Sequence, residues 1–520
     1  MSFVDEYFML KILQKLVNIR LLTPFGSYYL VTAVLREGLN LMTLLRLAVK
    51  LHGSKIAFVD EKNEISYNDL YQQSQQLAVI FHLNYNLKPK QKIALLCRNN
   101  ISFVLAMFAV SRLGTDIYLL NPEMTVEQIE SLNNRHKFDF FIYDAEVSES
   151  IHELNLLNKS LITYSETSPS VENLAKNEAS NPIKLEKAYS TNVIVLTGGT
   201  TGTPKIAKRK ASIFNFLNPF FALLTQLDLD RYKSVYIATP VYHGFGISAV
   251  FIGLILGEKM FMLNRFDAGK GCELIQANQI EAVTLVPLML QRMLGQNAES
   301  LKSLQCIISG GAALNPALVE ETFEKLGDKL FNLYGTSEAG FSVLATPQDL
   351  RSLTNTIGRP IAGVKLKILD SDNKSAEIGK VGRLCITSRW AIKDAANKAI
   401  ETGDLAYRDE SGYLFLCGRN DEMIVSGGEN VYPIELENVL TKHSEIKQAA
   451  VIGIPDTDFG QRLKAFVVLA ENSKIDRTQL SDWLSNRVAR FQMPKHIEFL
   501  EDLPITSVGK INKKALSKLN

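Results

Sequence analysis

The sequence predicts an α/β protein in which a large N-terminal domain of layered β-sheets and helices precedes a small α+β C-terminal domain. Its 520 residues exceed what one hydrophobic core serves, so at least two domains are expected. From Ile56 onward, short β-rich runs alternate with helical stretches, the pattern of α/β layers. A break near Arg419 then sets off a final unit of about one hundred residues, enough for a small domain. The expected divisions are an amphipathic helical segment over 1–50, the large domain over 51–420 and the small domain over 421–520.

In the first segment, "YFMLKILQKLVNIRLL" and "YYLVTAVLREGLNLMTLLRLAVKL" carry helical apolar spacing and are separated by Pro24 and Gly26. Lys11, Lys15, Arg20, Arg36, Arg46 and Lys50 outnumber Asp5, Glu6 and Glu37 there. Basic amphipathic helices lie on anionic membranes, or else pack on their own domain or a partner, and both readings stay open. Beyond it, "KIALLC", "DFFIYD", "SVYIATP", "EAVTLVP" and "LQCIISGG" read as strands and Tyr67 to Leu83 as a helix. The polar stretch from Tyr164 to Pro182 reads as an exposed connection. Past Arg419, "QAAVIGIPD" and "LKAFVVLAE" alternate with two helical runs.

The run "NVIVL" is short, apolar and β-branched, a buried strand that empties into "TGGTTGTPK". Gly198, Gly199 and Gly202 lack a Cβ and let backbone N–H groups converge. Thr197, Thr200, Thr201 and Thr203 add hydroxyls, and Lys205 adds charge. Donors without acceptors suit an anion. Pro204 before Lys205 and Ile206 after it exclude a Walker loop, and the glycine spacing excludes the dinucleotide fingerprint.

Fifty-seven basic and 55 acidic residues leave a net charge of +2, which gives no electrostatic case for nucleic acid. Five widely spaced cysteines without a C-x-x-C pair point to a reducing compartment and no structural zinc. The N-terminus lacks a secretory signature, and the longest apolar run, Phe245 to Leu256, is too short to span a bilayer. A cytoplasmic protein is expected, with peripheral contact at the inner membrane face left open.

Four further segments follow the loop in order: "YGTSEAG" (Tyr334 to Gly340), "TGD" (Thr402 to Asp404), "GRNDEMIVSGGENVYPIELE" (Gly418 to Glu437) and "LPITSVGK" ending at Lys510. Together with the loop they resemble the adenylate-forming superfamily of acyl-CoA synthetases, luciferases and adenylation domains, from about residue 55 to the C-terminus. Gly198 stands where a serine is more usual, and Ser337 stands in for a threonine.

The resemblance implies ATP, Mg²⁺ and CoA as ligands, and a role for each matched residue. Lys510 would place an ammonium between the attacking carboxylate and the α-phosphate; losing such a donor costs on the order of 3 kcal/mol in adenylate formation. Glu338 would bind Mg²⁺ alongside the hydroxyls of Thr200 and Ser337. Tyr334, with Gly335 and Thr336 beside it, would offer a ring to adenine, and Gly310, Gly311 and Ala312 of "SGGA" a flat backbone on its other side. Asp404 would accept from both ribose hydroxyls, Arg419 would donate to ribose or phosphate, and His243 in "PVYHGFG" would sit beside the acyl carboxylate. In the family the small domain swings about a hinge matched by Asp421, so that "VSGGEN", with Ser426, Gly427 and Gly428, replaces Lys510 and lines the pantetheine tunnel.

"SGGENVYPIELE" is more similar to fatty-acyl and related CoA ligases than to amino-acid adenylation domains, and the N-terminal helices resemble those of bacterial long-chain synthetases. Activation of a medium- or long-chain fatty acid to acyl-CoA is therefore expected. The apolar "GFGISAVFIGLIL" and "LVPLML" would suit an alkyl tail, or are simply core. An acyl-AMP ligase loading a carrier protein, a luciferase-like oxygenase and a non-catalytic relative are the rivals, and homodimer formation stays open. One departure is the short stretch before Thr402, which lacks the family's Asp-Gly-Trp approach; Arg389 and Trp390 lie there without an assigned role.

Overall fold

The computed structural model describes residues 3–177, 183–188, 191–197, 205–210, 213–388, 398–426, 429–471, 473–506 and 509–519, with side chains of 3–8, 196–197, 205–210 and 213–218 left aside. The loop residues Gly198, Gly199, Thr200, Thr201 and Gly202 lie outside the described residues, as do Gly427, Gly428, Arg389 and Trp390. The chain divides into two compact units. One comprises 1–285, 299–307 and 390–396; the other comprises 286–298, 308–389 and 397–520. Position 420/421 is thus not a division between these units, because 397–520 belongs with 308–389.

The first unit begins with three helices: α1 (Phe3–Asn18), α2 (Pro24–Glu37) and α3 (Leu41–His52). Thr23 caps α2 by accepting from Gly26 N–H at 3.0 Å with Pro24 at the first turn, and Asn40 caps α3 through Met42 N–H at 2.9 Å. A six-stranded sheet follows in the spatial order Ser160–Ile162, Phe140–Tyr143, Lys92–Leu96, Asp116–Leu119, Asn192–Thr197, Lys205–Lys210. Its first five strands pair in parallel, and the last is antiparallel. The helix Ile101–Arg112 is buried at every position but Ser102, which explains its near-continuous apolar sequence. A second group of strands, Ile56–Val59, Lys259–Phe261, Ser234–Ile237 and Ala282–Leu285, is also parallel. The stretch expected as an exposed connection after Tyr164 instead contains the helix Val171–Lys176. Ser170 caps it, and Val171 and Ala175 are buried, a short amphipathic pattern that the surrounding polar residues mask.

The second unit holds seven strands in antiparallel array: Val364–Leu369, Gly382–Ser388, Ile400–Arg408, Leu414–Arg419, Thr356–Pro360, Gly340–Ala345 and Leu330–Thr336. It also holds a separate five-stranded sheet in which the expected runs pair as Ile446–Asp456 with Gly460–Leu469. Helices Pro433–Leu440 and Arg477–Ser485 cover an apolar cluster that includes Leu436, Val451, Leu463 and Leu480. The layered α/β class with a smaller C-terminal sheet is as the sequence predicts.

Candidate active site

The strand Asn192–Thr197 is present as expected, and it pairs with Lys205–Lys210 so that Thr197 and Lys205 face each other. The glycine- and threonine-rich segment therefore joins two hydrogen-bonded strands. In the same unit His243 is the N-cap of an apolar helix, Gly244–Leu256. Its ring lies 4.6 Å from that of Tyr242, and its Nε2 is buried. Gly246 is required there because a Cβ would run into the carbonyl oxygen of Pro240.

The second unit brings together Tyr334, Asp404, Arg419 and Lys510. Asp404 and Arg419 are direct cross-strand partners, so sheet register alone places carboxylate against guanidinium. Arg419 Nη1 donates to Asp404 Oδ1 at 3.2 Å and to the Thr402 carbonyl at 3.0 Å, while its Nε donates to Asp421 Oδ1 at 3.1 Å. The guanidinium passes over Gly403, whose φ is +78° and where a Cβ would lie 2.7 Å from Nη2. On the other side, the Tyr334 hydroxyl donates to Asp404 Oδ2 at 2.6 Å. Thr402 completes the support: its hydroxyl accepts from Asp404 N–H at 3.1 Å and donates to the Leu384 carbonyl at 2.9 Å.

These partners set the electrostatics. Burial raises the Asp404 carboxyl above its usual range, while the Tyr334 hydrogen bond, Arg419 and Lys510 pull it back. Burial opposes the Arg419 charge, yet Asp404 and Asp421 hold its pKa above the ordinary value. Burial, then Asp404, pushes the Tyr334 phenol well up. Lys510 keeps solvent contact, yet desolvation by the crowded cleft pulls its pKa below that of a free lysine. Asp404 opposes that shift and Arg419 adds to it.

Lys510 sits on a tight turn. Thr506 N–H donates to the Lys510 carbonyl at 2.7 Å, and Lys510 N–H donates back to Thr506 Oγ1 at 3.2 Å. Gly509 has φ +74°, and a Cβ on it would come within 2.8 Å of Val286 Cγ2, so the turn lies close against the segment carrying Val286 and Met289. Three residues later, Lys513 Nζ bridges Glu437 Oε1 at 2.8 Å and Glu422 Oε2 at 3.1 Å. Nothing in the sequence singles out Lys513. Its two carboxylate partners lie 76 and 91 positions earlier, and no local signal marks them.

"YGTSEAG" forms a hairpin: Leu330–Thr336 pairs with Gly340–Ala345, Gly335 pairs with Phe341, and Ser337 and Glu338 are at the tip. Thr336 Oγ1 accepts from Ala339 N–H at 3.0 Å and so shapes that tip. Among the described residues no three His, Cys, Asp or Glu side chains gather to hold a metal. One carboxylate, Glu338, completed by nucleotide phosphates fits Mg²⁺ chemistry, which needs no all-protein cage. Gly310 ends the strand Cys306–Gly310, and Gly311 (φ +81°) and Ala312 leave it, with the Ser309 hydroxyl buried and lacking a hydrogen-bond partner among the described residues. Ser426, also buried without a partner for its hydroxyl among them, ends the strand Ile424–Ser426, which pairs with Glu429–Val431.

Residues 45–393 match the model of the AMP-binding enzyme family, and residues 435–510 match that of the AMP-binding enzyme C-terminal domain. The chain is similar to the 2-succinylbenzoate–CoA ligase of Bacillus pumilus, at 27% identity over 89% of this chain and 94% of that one. Among solved structures, ATP-bound MatB from Rhodopseudomonas palustris superposes with a TM-score of 0.82 at 23% identity, covering 92% and 99% of the two chains. The o-succinylbenzoate CoA synthetase of Bacillus subtilis, in complex with its acyl-adenylate intermediate, gives 0.79 at 25% identity, covering 91% and 97%. These relatives carry the superfamily resemblance but do not single out fatty-acyl-CoA synthetases within it. With one model matching two thirds of its length and a second matching residues 435–510, the chain belongs to the AMP-binding enzyme family.

Proposed function

We propose that this chain is an AMP-forming acid–thiol ligase. Its carboxylate substrate attacks the α-phosphate of ATP, pyrophosphate leaves, and the acyl-AMP is then attacked by the CoA thiol, which expels AMP. The observation that carries this reading is the electrostatic coupling of Lys510 to Asp404 and Arg419, where an ammonium would offset the repulsion between two anions as they meet. In this reading Asp404 and Arg419 hold the ribose, Tyr334 flanks adenine opposite Gly310, Gly311 and Ala312, and Thr197 to Lys205 cradle the phosphates. Glu338 holds Mg²⁺ with Thr200 and Ser337, and Asp421 is the hinge that brings Ser426, Gly427 and Gly428 to the thiol. The region 421–520 would then move as the small domain, and the enzyme would work in the cytoplasm.

For the acyl group, the relatives favour an aryl dicarboxylate of the 2-succinylbenzoate kind. A medium- or long-chain fatty acid is the second reading. The helix Gly244–Leu256 beside His243 favours it, since no cation on that helix would receive a second carboxylate. Pyrophosphate release with 2-succinylbenzoate and with straight-chain acids of rising length, each with and without CoA, decides between them. Release with no acid of either kind, under conditions where ATP binds, would overturn the ligase reading.

A further inference from the structure

The outer faces of α1 and α2 carry an unusual share of the exposed apolar surface. Of 21 large hydrophobic side chains exposed among the described residues, 11 lie between Met9 and Leu39. Met9, Leu10, Leu13 and Val17 fall within one 100° arc of α1. On α2, Phe25, Tyr28, Val31 and Leu35 form a similar stripe, with Phe25 72% exposed. Scattered apolar residues are ordinary on a surface, but stripes of this size on two consecutive helices are not.

Charge is arranged in the opposite sense. Lys15 turns inward to Asp228 Oδ1 at 2.8 Å and Asp230 Oδ1 at 2.5 Å, and Lys11 donates to the Thr225 carbonyl at 2.5 Å. Glu37, the only carboxylate between residues 9 and 54, is buried between Arg46 at 3.2 Å and Arg112 at 3.0 Å. Between residues 9 and 54 no exposed carboxylate is left, whereas Arg20, Arg36 and Lys50 remain exposed; Asp5 and Glu6, in the first turn of α1, precede this stretch. The face is apolar with a cationic edge.

We infer that α1 and α2 form a membrane-docking face that lies in the plane of an anionic lipid surface, its apolar stripes in the acyl boundary and its arginines on the headgroups. Neither helix, at 16 and 14 residues, is long enough to cross, and among the described residues no helix is long and apolar enough to do so. A second copy of the chain apposed about a two-fold axis would set this cationic edge against itself, whereas anionic lipid supplies the missing countercharge. The inference does not depend on the ligase chemistry.

The test is co-sedimentation of the full chain with phosphatidylglycerol/phosphatidylcholine vesicles and with phosphatidylcholine vesicles alone. The native chain should pellet several-fold more with the anionic vesicles. Leu13→Glu/Val31→Glu should abolish pelleting while thermal melting stays unchanged, and the milder Arg20→Gln/Arg36→Gln should raise the lipid concentration needed for half-binding. A native chain that stays in the supernatant with anionic vesicles overturns the inference. So does a double-glutamate variant that pellets as well as the native chain, or light scattering that shows a dimer which this variant dissociates. ATP–pyrophosphate exchange on the same samples reports separately on the proposed function.

Discussion

The Asp404 cleft and the α1–α2 face organise polarity in opposite ways. In the cleft, Asp404 is held by Tyr334 and Arg419, Arg419 also by Asp421, and the Lys510 turn is followed by the Lys513 bridge. On α1 and α2 the ion pairs face inward and apolar side chains face out. The contrast teaches that charge here is placed by tertiary partners rather than by the local run. A cluster whose groups constrain one another is suited to chemistry, and an apolar face with a cationic edge is suited to contact.

The largest effect should come from Lys510→Ala, which removes the only cation carried by its turn. ATP–pyrophosphate exchange should fall roughly a hundredfold or more, about 3 kcal/mol of transition-state stabilisation, with ATP binding nearly intact. The alkaline limb sharpens the same point. Because the pKa of Lys510 is depressed, exchange should decline at a lower pH than an ordinary lysine would dictate, and Lys510→Arg should move that decline upward in a full pH profile.

Gly403→Ala should rank next. A Cβ at φ +78° costs on the order of 1–3 kcal/mol in strain and displaces the Arg419 guanidinium, so the ATP KM should rise about tenfold. Lys513→Met leaves Glu422 and Glu437 without their shared cation. A loss of about fivefold in adenylation kcat, with KM unchanged and with rescue by Lys513→Arg, would mark it as a positioning residue for Lys510; an unchanged rate would leave it purely structural.

The smallest effect on activity should come from the first unit. Glu258 is buried, and burial raises its carboxyl to about 8. Its folded pKa lies above its unfolded value of about 4.3, so the stability it contributes is complete below that value and is lost as pH rises toward 8. Glu258→Gln should therefore raise the melting temperature at pH 8 relative to pH 5 while leaving exchange untouched.

Much of this was legible in advance. Strands such as Lys92–Leu96 and Cys306–Gly310 announce themselves because a strand buried on both faces must be apolar throughout. The hairpin of "YGTSEAG" and the turn before Lys510 are marked by glycines that backbone geometry demands. The Lys513 bridge has no mark in the sequence because its partners are remote, and the helix Val171–Lys176 is hidden because two buried side chains do not make a visible period.

By itself the amino-acid order determined the layered α/β class, the order of its motifs and the residue types at the cleft, since periodicity and backbone-special residues are local properties. Only the tertiary structure decided which charges meet. Register across two strands set Asp404 against Arg419, and distant carboxylates drew Lys15 inward and Lys513 into a bridge. The physical reason is that Coulomb attraction and desolvation depend on distance and burial, which are fixed by packing between segments far apart in the chain.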